Sequence, residues 1–367
     1  MGDISSFITI TVVFLIIGHY LIGFTYSVMT SFGEEPRETS PAYADYPDRK
    51  EFWKEQKKVQ KVHFEPYYHW KQFEYAGKYI NIDAKGVRKT VKDPNLKGRK
   101  KIFMFGGSTL WGHGSPDEST IPSIVQSYLG DTYDVYNYGE DGFVSTQELN
   151  YLLYQLSLGN IPDVVIFYDG ANDGYAGAYS PAIPRDPQNL RMDYLNRSEN
   201  GFVQLITRSN YDKFAKYIVR KVHGGYSGSD EWDKKIKPDI RINAGNVVQM
   251  YEAHIKQVQA LAKEYKFMVF FFWQPNLFSL TKTVLAHEAE VIRKAPPVMV
   301  ESQHQVYLKS KEKFSKREKE KIFHLGNLFD NIEKPIYFDW CHIGPGGNRI
   351  IADQMIFLIG EEIRNLH

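Results

Sequence analysis

The sequence predicts an α/β protein, a three-layer α/β/α doubly wound parallel sheet preceded by a single transmembrane helix. Three observations carry that expectation. Short apolar runs at residues 102–105, 135–137, 164–168 and 267–273 have the length and content of buried parallel strands. Between them lie segments with apolar residues at helical spacing: 120–129, 145–158 and, most clearly, 246–265 through Val247, Met250, Ile255, Val258, Leu261 and Ala262. Strands alternating with helices imply a parallel sheet between helix layers. The third observation is that residues 7–29 contain no Asp, Glu, Lys or Arg.

That stretch is long enough for a helix to cross a bilayer, which takes about 20 mainly apolar residues. It lacks a basic leading region and a small-x-small cleavage site, so an uncleaved anchor is expected over residues 1–30, with an exported signal as the alternative. His19 and Tyr20 in mid-span are costly against lipid and point to a partner helix or a wet groove. Residues 31–48, rich in Pro, Ser, Thr and Glu, read as a linker. A lead-in subdomain is expected over 49–98, where residues 79–88 alternate and turn at Gly86, as a small sheet or hairpin would. The main domain then occupies 99–367, with rim insertions at about 174–243 and 280–331. Within the second, the charged run 309–321 reads as a solvated helix face of alternating sign. The last helix should begin near Gly346 or Gly347 and run through Ile350, Ile351, Met355, Ile356 and Ile359, leaving His342 on the loop before it.

Composition excludes several classes. Lys plus Arg number 45 against 44 for Asp plus Glu, a balance without the basic excess of a nucleic-acid binder. The single cysteine, Cys341, cannot form an intramolecular disulfide and reads as a small packed side chain. Aromatic residues make up 15% of the chain and concentrate at 52–79 and 168–179, where core packing and a sugar- or acyl-binding rim are both compatible with them. No paired-His motif, Cys pair or carboxylate cluster has metal-ligand spacing, and 106–114 lacks the Lys of a phosphate loop and the spacing of a dinucleotide loop. Neither metal nor organic cofactor is expected.

Four polar stops punctuate the apolar runs in order: Gly106-Gly107-Ser108, Asn137-Tyr138-Gly139, Gly170-Ala171-Asn172-Asp173 and Asp339-Trp340-Cys341-His342. Each alone has a bland reading as a turn, a cap or a surface pair. Together they supply a nucleophilic hydroxyl, a base to take its proton and a carboxylate to orient that base, which is what acyl transfer at neutral pH requires. Ser108, His342 and Asp339 fill those roles, while the Ser108 and Gly139 N–H groups and the Asn172 amide can meet the oxyanion. A nucleophile elbow of the α/β-hydrolase kind is excluded by Leu110, which stands where that turn needs glycine.

With those motifs the chain resembles the SGNH hydrolases of the GDSL-like lipase/acylhydrolase superfamily, over roughly the last two-thirds of its length. The resemblance implies a flavodoxin-like SGNH fold, Ser108 as nucleophile, Ser108, Gly139 and Asn172 in the oxyanion hole, and Asp339 with His342 completing the triad. Gly107 departs from the usual signature, which has an acidic residue before the serine. The expected function is a membrane-anchored serine esterase removing O-acyl, chiefly acetyl, groups from a glycan or lipid-linked substrate. An O-acyltransferase working with a membrane protein partner, and a non-catalytic anchored glycan-binding scaffold, are the competing readings. Arg37, Arg49 and Lys50 follow the span and by the positive-inside rule draw the domain inward. Resemblance to membrane-anchored enzymes of envelope glycan and lipid metabolism implies an external or periplasmic domain instead.

Overall fold

The computed structural model describes residues 2–31, 37–59, 62–92, 100–179, 210, 211, 214, 217, 218, 240–279, 281 and 284–366. The chain divides into two compact units, Met1–Glu35 with Gln188–Lys237, and Pro36–Pro187 with Pro238–His367.

In the first unit, helix α1 (Gly2–Ser31) contains one stretch, Thr9–Ser27, long and apolar enough to cross a membrane. Thr11 and Thr25 sit inside it with their hydroxyl protons partnered, because each donates to the carbonyl four residues back, at Phe7 and Leu21.

The second unit begins with a lead-in. It holds α2 (Arg49–Val59), the antiparallel pair β1 (Val62–Glu65) and β2 (His69–Gln72), and the short pair β3 (Tyr75–Ala76) and β4 (Asn81–Ile82). The chain then alternates through β5 (Lys100–Gly106), α3 (Ser108–Trp111), α4 (Ile121–Leu129), β6 (Tyr133–Asn137), α5 (Ser145–Ser157), β7 (Val164–Asp169) and α6 (Ala171–Tyr179). It resumes with α7 (Ile240–Tyr265), β8 (Met268–Trp273), α8 (Ala286–Lys294), α9 (Pro297–Phe314), β9 (Ile322–His324) and α10 (Pro345–Arg364). The five strands β6-β5-β7-β8-β9 pair in that order, all parallel. This is the doubly wound order 2-1-3-4-5, whose ligand crevice opens beyond the carboxyl ends of the strands beside the first.

Both sheet faces are covered, which is why the strands are apolar throughout rather than alternating. Ile102, Met104, Ile166, Phe270 and Phe272 face α4 and α10 through Ile124, Val125, Ile351 and Met355. Their strand neighbours Phe103, Phe105, Val165, Phe167 and Phe271 face α5 and α7 through Leu152, Leu156, Val247, Ile255 and Val258.

A third cluster, with Tyr43, Phe52, Trp53, Ile80, Trp111 and Phe338, fastens the lead-in beside the carboxyl end of the sheet. Two buried ion pairs pin it further. Lys71 Nζ meets Glu140 Oε1 at 2.8 Å, and Arg88 Nε meets Asp117 Oδ1 at 3.0 Å. Arg88 also donates to the carbonyls of Trp111, Gly112 and Ser115, so each of its guanidinium nitrogens is hydrogen-bonded although the group is buried. The turn expected at Gly86 is present, with φ +72° and its N–H bonded to the Asp83 carbonyl.

Two expectations of organisation need revision. Residues 37–48 are no free spacer: Tyr43 is fully buried and its hydroxyl donates to the Gly114 carbonyl at 2.6 Å. An aromatic residue in a Pro- and Ser-rich stretch supplies the apolar area that holds it down. The segment 280–331 is no rim insertion, since it provides α9, which packs on α6 and α7, and the fifth strand β9. Three residues long and preceded by a charged run, β9 has too little periodicity to be read as a strand. Most of the insertion expected at 174–243 lies outside the described residues.

Candidate active site

Ser108 opens α3 directly after β5, so its N–H belongs to the first turn and has no intrahelical partner. The helix macrodipole is small over four residues, and the geometry of that N–H matters more than the field. Ser108 Oγ lies 2.6 Å from His342 Nε2, and His342 Nδ1 lies 2.7 Å from Asp339 Oδ2. The three sequence-predicted residues therefore form one unbroken hydrogen-bonded chain.

A tight loop before α10 makes this possible. Tyr337 and Ile343 bridge antiparallel, and the Phe338 N–H donates to the His342 carbonyl. Asp339 Oδ1 accepts from the N–H groups of Cys341 at 3.0 Å and His342 at 2.8 Å, so one carboxylate oxygen shapes the loop while the other holds the imidazole. The three-residue spacing follows from this Asx-turn geometry. Leu277 N–H donates to the Trp340 carbonyl and ties the loop to the end of β8.

Charge follows the same chain. Burial by itself would raise Asp339, but the neighbouring imidazolium and the hydrogen bonds from His342 and Cys341 override it and hold the carboxyl far below its usual range. Burial likewise opposes protonation of His342, and the Asp339 charge overrides it, leaving the imidazole well above its ordinary value. Cys341 is buried and its thiol is pushed up to about 11 by burial, so it stays protonated as the packed side chain the sequence suggested. Asp339, Cys341 and His342 bring donor atoms within 4.8 Å of one another. With the thiol protonated and both imidazole nitrogens engaged, that set suits proton transfer rather than a cation.

Asn172 lies in the first turn of α6, just beyond β7, and its Nδ2 donates to the Phe143 carbonyl at 2.8 Å, keeping one amide hydrogen for another acceptor. A Cβ built on Gly107 would stand 2.3 Å from that Nδ2, which places the amide against the backbone leading into Ser108 and explains why glycine precedes the serine. Asp173 accepts from the Ser145 N–H and hydroxyl, fixing α6 to the start of α5.

Gly139 sits differently from its expected role. Its N–H donates to Asn137 Oδ1 at 3.1 Å, and a Cβ there would meet Trp111 N at 2.5 Å. Its position thus reflects close approach to α3 and a turn of its own. Three residues on, Gly142 has φ +79° in the turn closed by the Phe143 N–H to Glu140 carbonyl bond, and its N–H has no acceptor among the described residues.

Sequence reasoning also passed over His113. Its ring lies 4.7 Å from that of His342, with Nε2 3.0 Å from Arg37 and Nδ1 3.8 Å from Asp141 Oδ2, and burial lowers its pKa so that it is neutral. The signal was its place five residues after Ser108. Beside the triad, Trp340 stacks on Phe278 and on Tyr175 at centroid distances of 6.0 and 5.9 Å, forming an aromatic wall.

No protein-family model matches the chain, and neither does any curated protein. Its structural neighbours are GDSL-family lipolytic proteins and carbohydrate esterases. A lipolytic G-D-S-L protein from Veillonella parvula aligns at 14% identity and TM-score 0.39, over 73% of this chain and 100% of the other. A carbohydrate acetylesterase from Sinorhizobium meliloti aligns at 12% identity and TM-score 0.38, over 71% and 100%. An acetyl xylan esterase aligns at 15% identity and TM-score 0.36, over 71% and 99%.

Proposed function

We propose that this chain is a serine acylhydrolase working through an acyl–Ser108 intermediate. The observation that carries the reading is the continuous Ser108–His342–Asp339 hydrogen-bond chain at 2.6 and 2.7 Å. Ser108 Oγ attacks an ester carbonyl as His342 Nε2 takes its proton, and Asp339 stabilises the imidazolium without itself being protonated. The oxyanion is met by the Ser108 N–H, by the second Asn172 amide hydrogen and, in place of Gly139, by the Gly142 N–H, whose neighbour Phe143 already holds Asn172. The alcohol departs with the proton from His342, and water repeats the sequence to release the acid.

A small O-acyl group on a glycan is the substrate class we favour, because the half-exposed Trp340 beside the triad offers a flat apolar face of the kind sugars stack on. Helix α1 is long and apolar enough to serve as a retained single-pass anchor, and the resemblance to membrane-anchored envelope enzymes is what favours a catalytic domain outside. The test is hydrolysis of acetyl, butyryl and palmitoyl p-nitrophenyl esters by detergent-purified protein and its Ser108→Ala variant. Turnover that favours the acetyl ester and vanishes in the variant is expected. Equal turnover in both proteins would refute the serine mechanism.

A further inference from the structure

Helix α1 is apolar around most of its circumference, yet among its described side chains burial is confined to one seam. Gly18, His19, Ile22, Gly23 and Tyr26 are half-buried, whereas Phe14, Ile17, Tyr20, Leu21 and Phe24 are exposed. Spacings of three and four residues place the buried set on one face. A helix that only crossed lipid would show no such seam.

Against the seam lie Asn210, Tyr211 and Tyr217, which are helical and belong to the same compact unit. Asn210 N–H approaches His19 Nδ1 at 3.4 Å, and the Asn210 amide nitrogen lies 3.2 Å from His19 Nε2 and donates to the His19 carbonyl at 3.1 Å. Tyr211 donates its hydroxyl to the Leu15 carbonyl at 2.9 Å, and Tyr217 meets Tyr26 edge to face at 5.7 Å. The glycines are fitted to these partners: a Cβ on Gly18 would lie 2.2 Å from the Tyr211 hydroxyl, and one on Gly23 would lie 2.2 Å from Asn210 Nδ2. Small residues that admit a neighbour, and a polar side chain answered by another, are what hold helices together where lipid offers no hydrophobic drive.

We propose that Asn210, Tyr211 and Tyr217 form a built-in partner of the N-terminal helix, so that the membrane element of this protein is a retained clasp of two segments rather than a lone anchor or a removable leader. The contacts run from Leu15 to Tyr26, through the middle and C-terminal half of the span. In sequence the partner is flanked and interleaved by Arg208, Lys213, Lys216, Arg220 and Lys221. Basic residues beside a membrane segment are drawn to anionic lipid headgroups. His19, the residue that made the span look expensive, becomes the residue that specifies the partner. The proposal rests on the reading of α1 as a retained anchor.

The experiment is disulfide trapping in native membranes with full-length protein carrying an N-terminal epitope tag and a protease site inserted after residue 185. A Cβ at position 23 would stand 3.6 Å from the Asn210 Cβ, within the range a disulfide spans. Gly23→Cys with Asn210→Cys should therefore join under diamide, which takes up the two thiol hydrogens, and the two fragments made by the protease should separate only with reductant. Cys341, the one native thiol, is buried and gives a low background. Phe24→Cys with Asn210→Cys is the control, because Phe24 is 69% exposed, and it should join at least tenfold less. Trapping no better than the control, or trapping only between two chains, would overturn the clasp while leaving the anchor intact. Loss of the tag from the mature protein would overturn the anchor reading, and the clasp with it.

Discussion

Gly107 and Asn172 are matched to each other: the space a Cβ would fill on the first is held by the amide of the second, at 2.3 Å. Gly107→Ala should push that amide away from the position where it meets the oxyanion. Asn172→Ala should cost on the order of 10² to 10³ in kcat with little change in KM, as loss of one preorganised donor does. Gly107→Ala should cost part of the same amount. In the double variant the losses should not add, because both act through one amide. Steady-state kinetics of the four proteins on p-nitrophenyl acetate provide the cycle; full additivity would mean that Gly107 does not act through the Asn172 amide, and an unchanged kcat in Asn172→Ala would detach Asn172 from the oxyanion.

Asp339 grips His342 at both the ring and the backbone. Asp339→Asn should preserve the loop and leave Nδ1 with the wrong partner, lowering kcat by on the order of 10⁴. The acid limb of kcat/KM should also move. His342 must be neutral to act as base, and the Asp339 charge holds its pKa well above 6.5 against the opposing effect of burial. In the wild-type chain activity should therefore rise with pH through a limb above 6.5. In the Asn variant burial acts unopposed, and the limb should shift to lower pH. An unmoved limb would mean that it reports another group.

The Lys71–Glu140 pair is 1% and 0% exposed, and burial pushes Glu140 up to about 7 even beside the ammonium. Removing one partner leaves the other charge buried alone, so Lys71→Met should cost about 3 to 5 kcal/mol, while Lys71→Met with Glu140→Leu should recover most of it. Because the pair joins β2 to the loop after β6, urea unfolding of the single variant should show the lead-in loosening along with the main domain.

The parts of this fold that were readable from sequence are those governed by one local rule. Buried parallel strands announce themselves as short apolar runs, and the runs ending at Phe105, Tyr168 and Trp273 became the central strands β5, β7 and β8. The Asp339-to-His342 spacing carried its own turn chemistry. What escaped depends on partners distant in sequence. β9 is a strand only because β8 offers it an edge, and residues 37–48 pack only because Trp53 and Phe338 make a slot for Tyr43. His113 drew no notice because its meaning lies in Asp141 and Arg37, far along the chain. Gly139 was chosen as donor from its place in a motif, whereas the direction of an N–H is fixed by the turn around it and cannot be read from residue type.

Glu148, Asp169 and Asp173 come together where α5, β7 and α6 meet, and the carboxyl oxygens of Glu148 accept no hydrogen bond from a donor among the described residues. Burial raises all three, Asp169 to about 7 and Glu148 well above its ordinary value; Asp169 and Asp173 add to the rise at Glu148 and Asp173 adds to that at Asp169, whereas a hydrogen bond with Glu148 pulls Asp169 the other way. Between roughly pH 4, where these groups titrate in an unfolded chain, and pH 7, the folded protein holds protons that the unfolded one has released. The stability they contribute is therefore complete at the acid end of that window and is lost as pH rises through about 7, by on the order of 2 to 4 kcal/mol. Glu148→Gln keeps a donor toward Asp169 but cannot ionise. Thermal unfolding from pH 5.5 to 8.5 should show the wild-type midpoint falling with pH and the Gln variant falling less, so that their difference grows toward alkaline pH. A constant difference would mean that Glu148 is already charged in the folded chain at the acid end, with a counter-charge supplied from elsewhere.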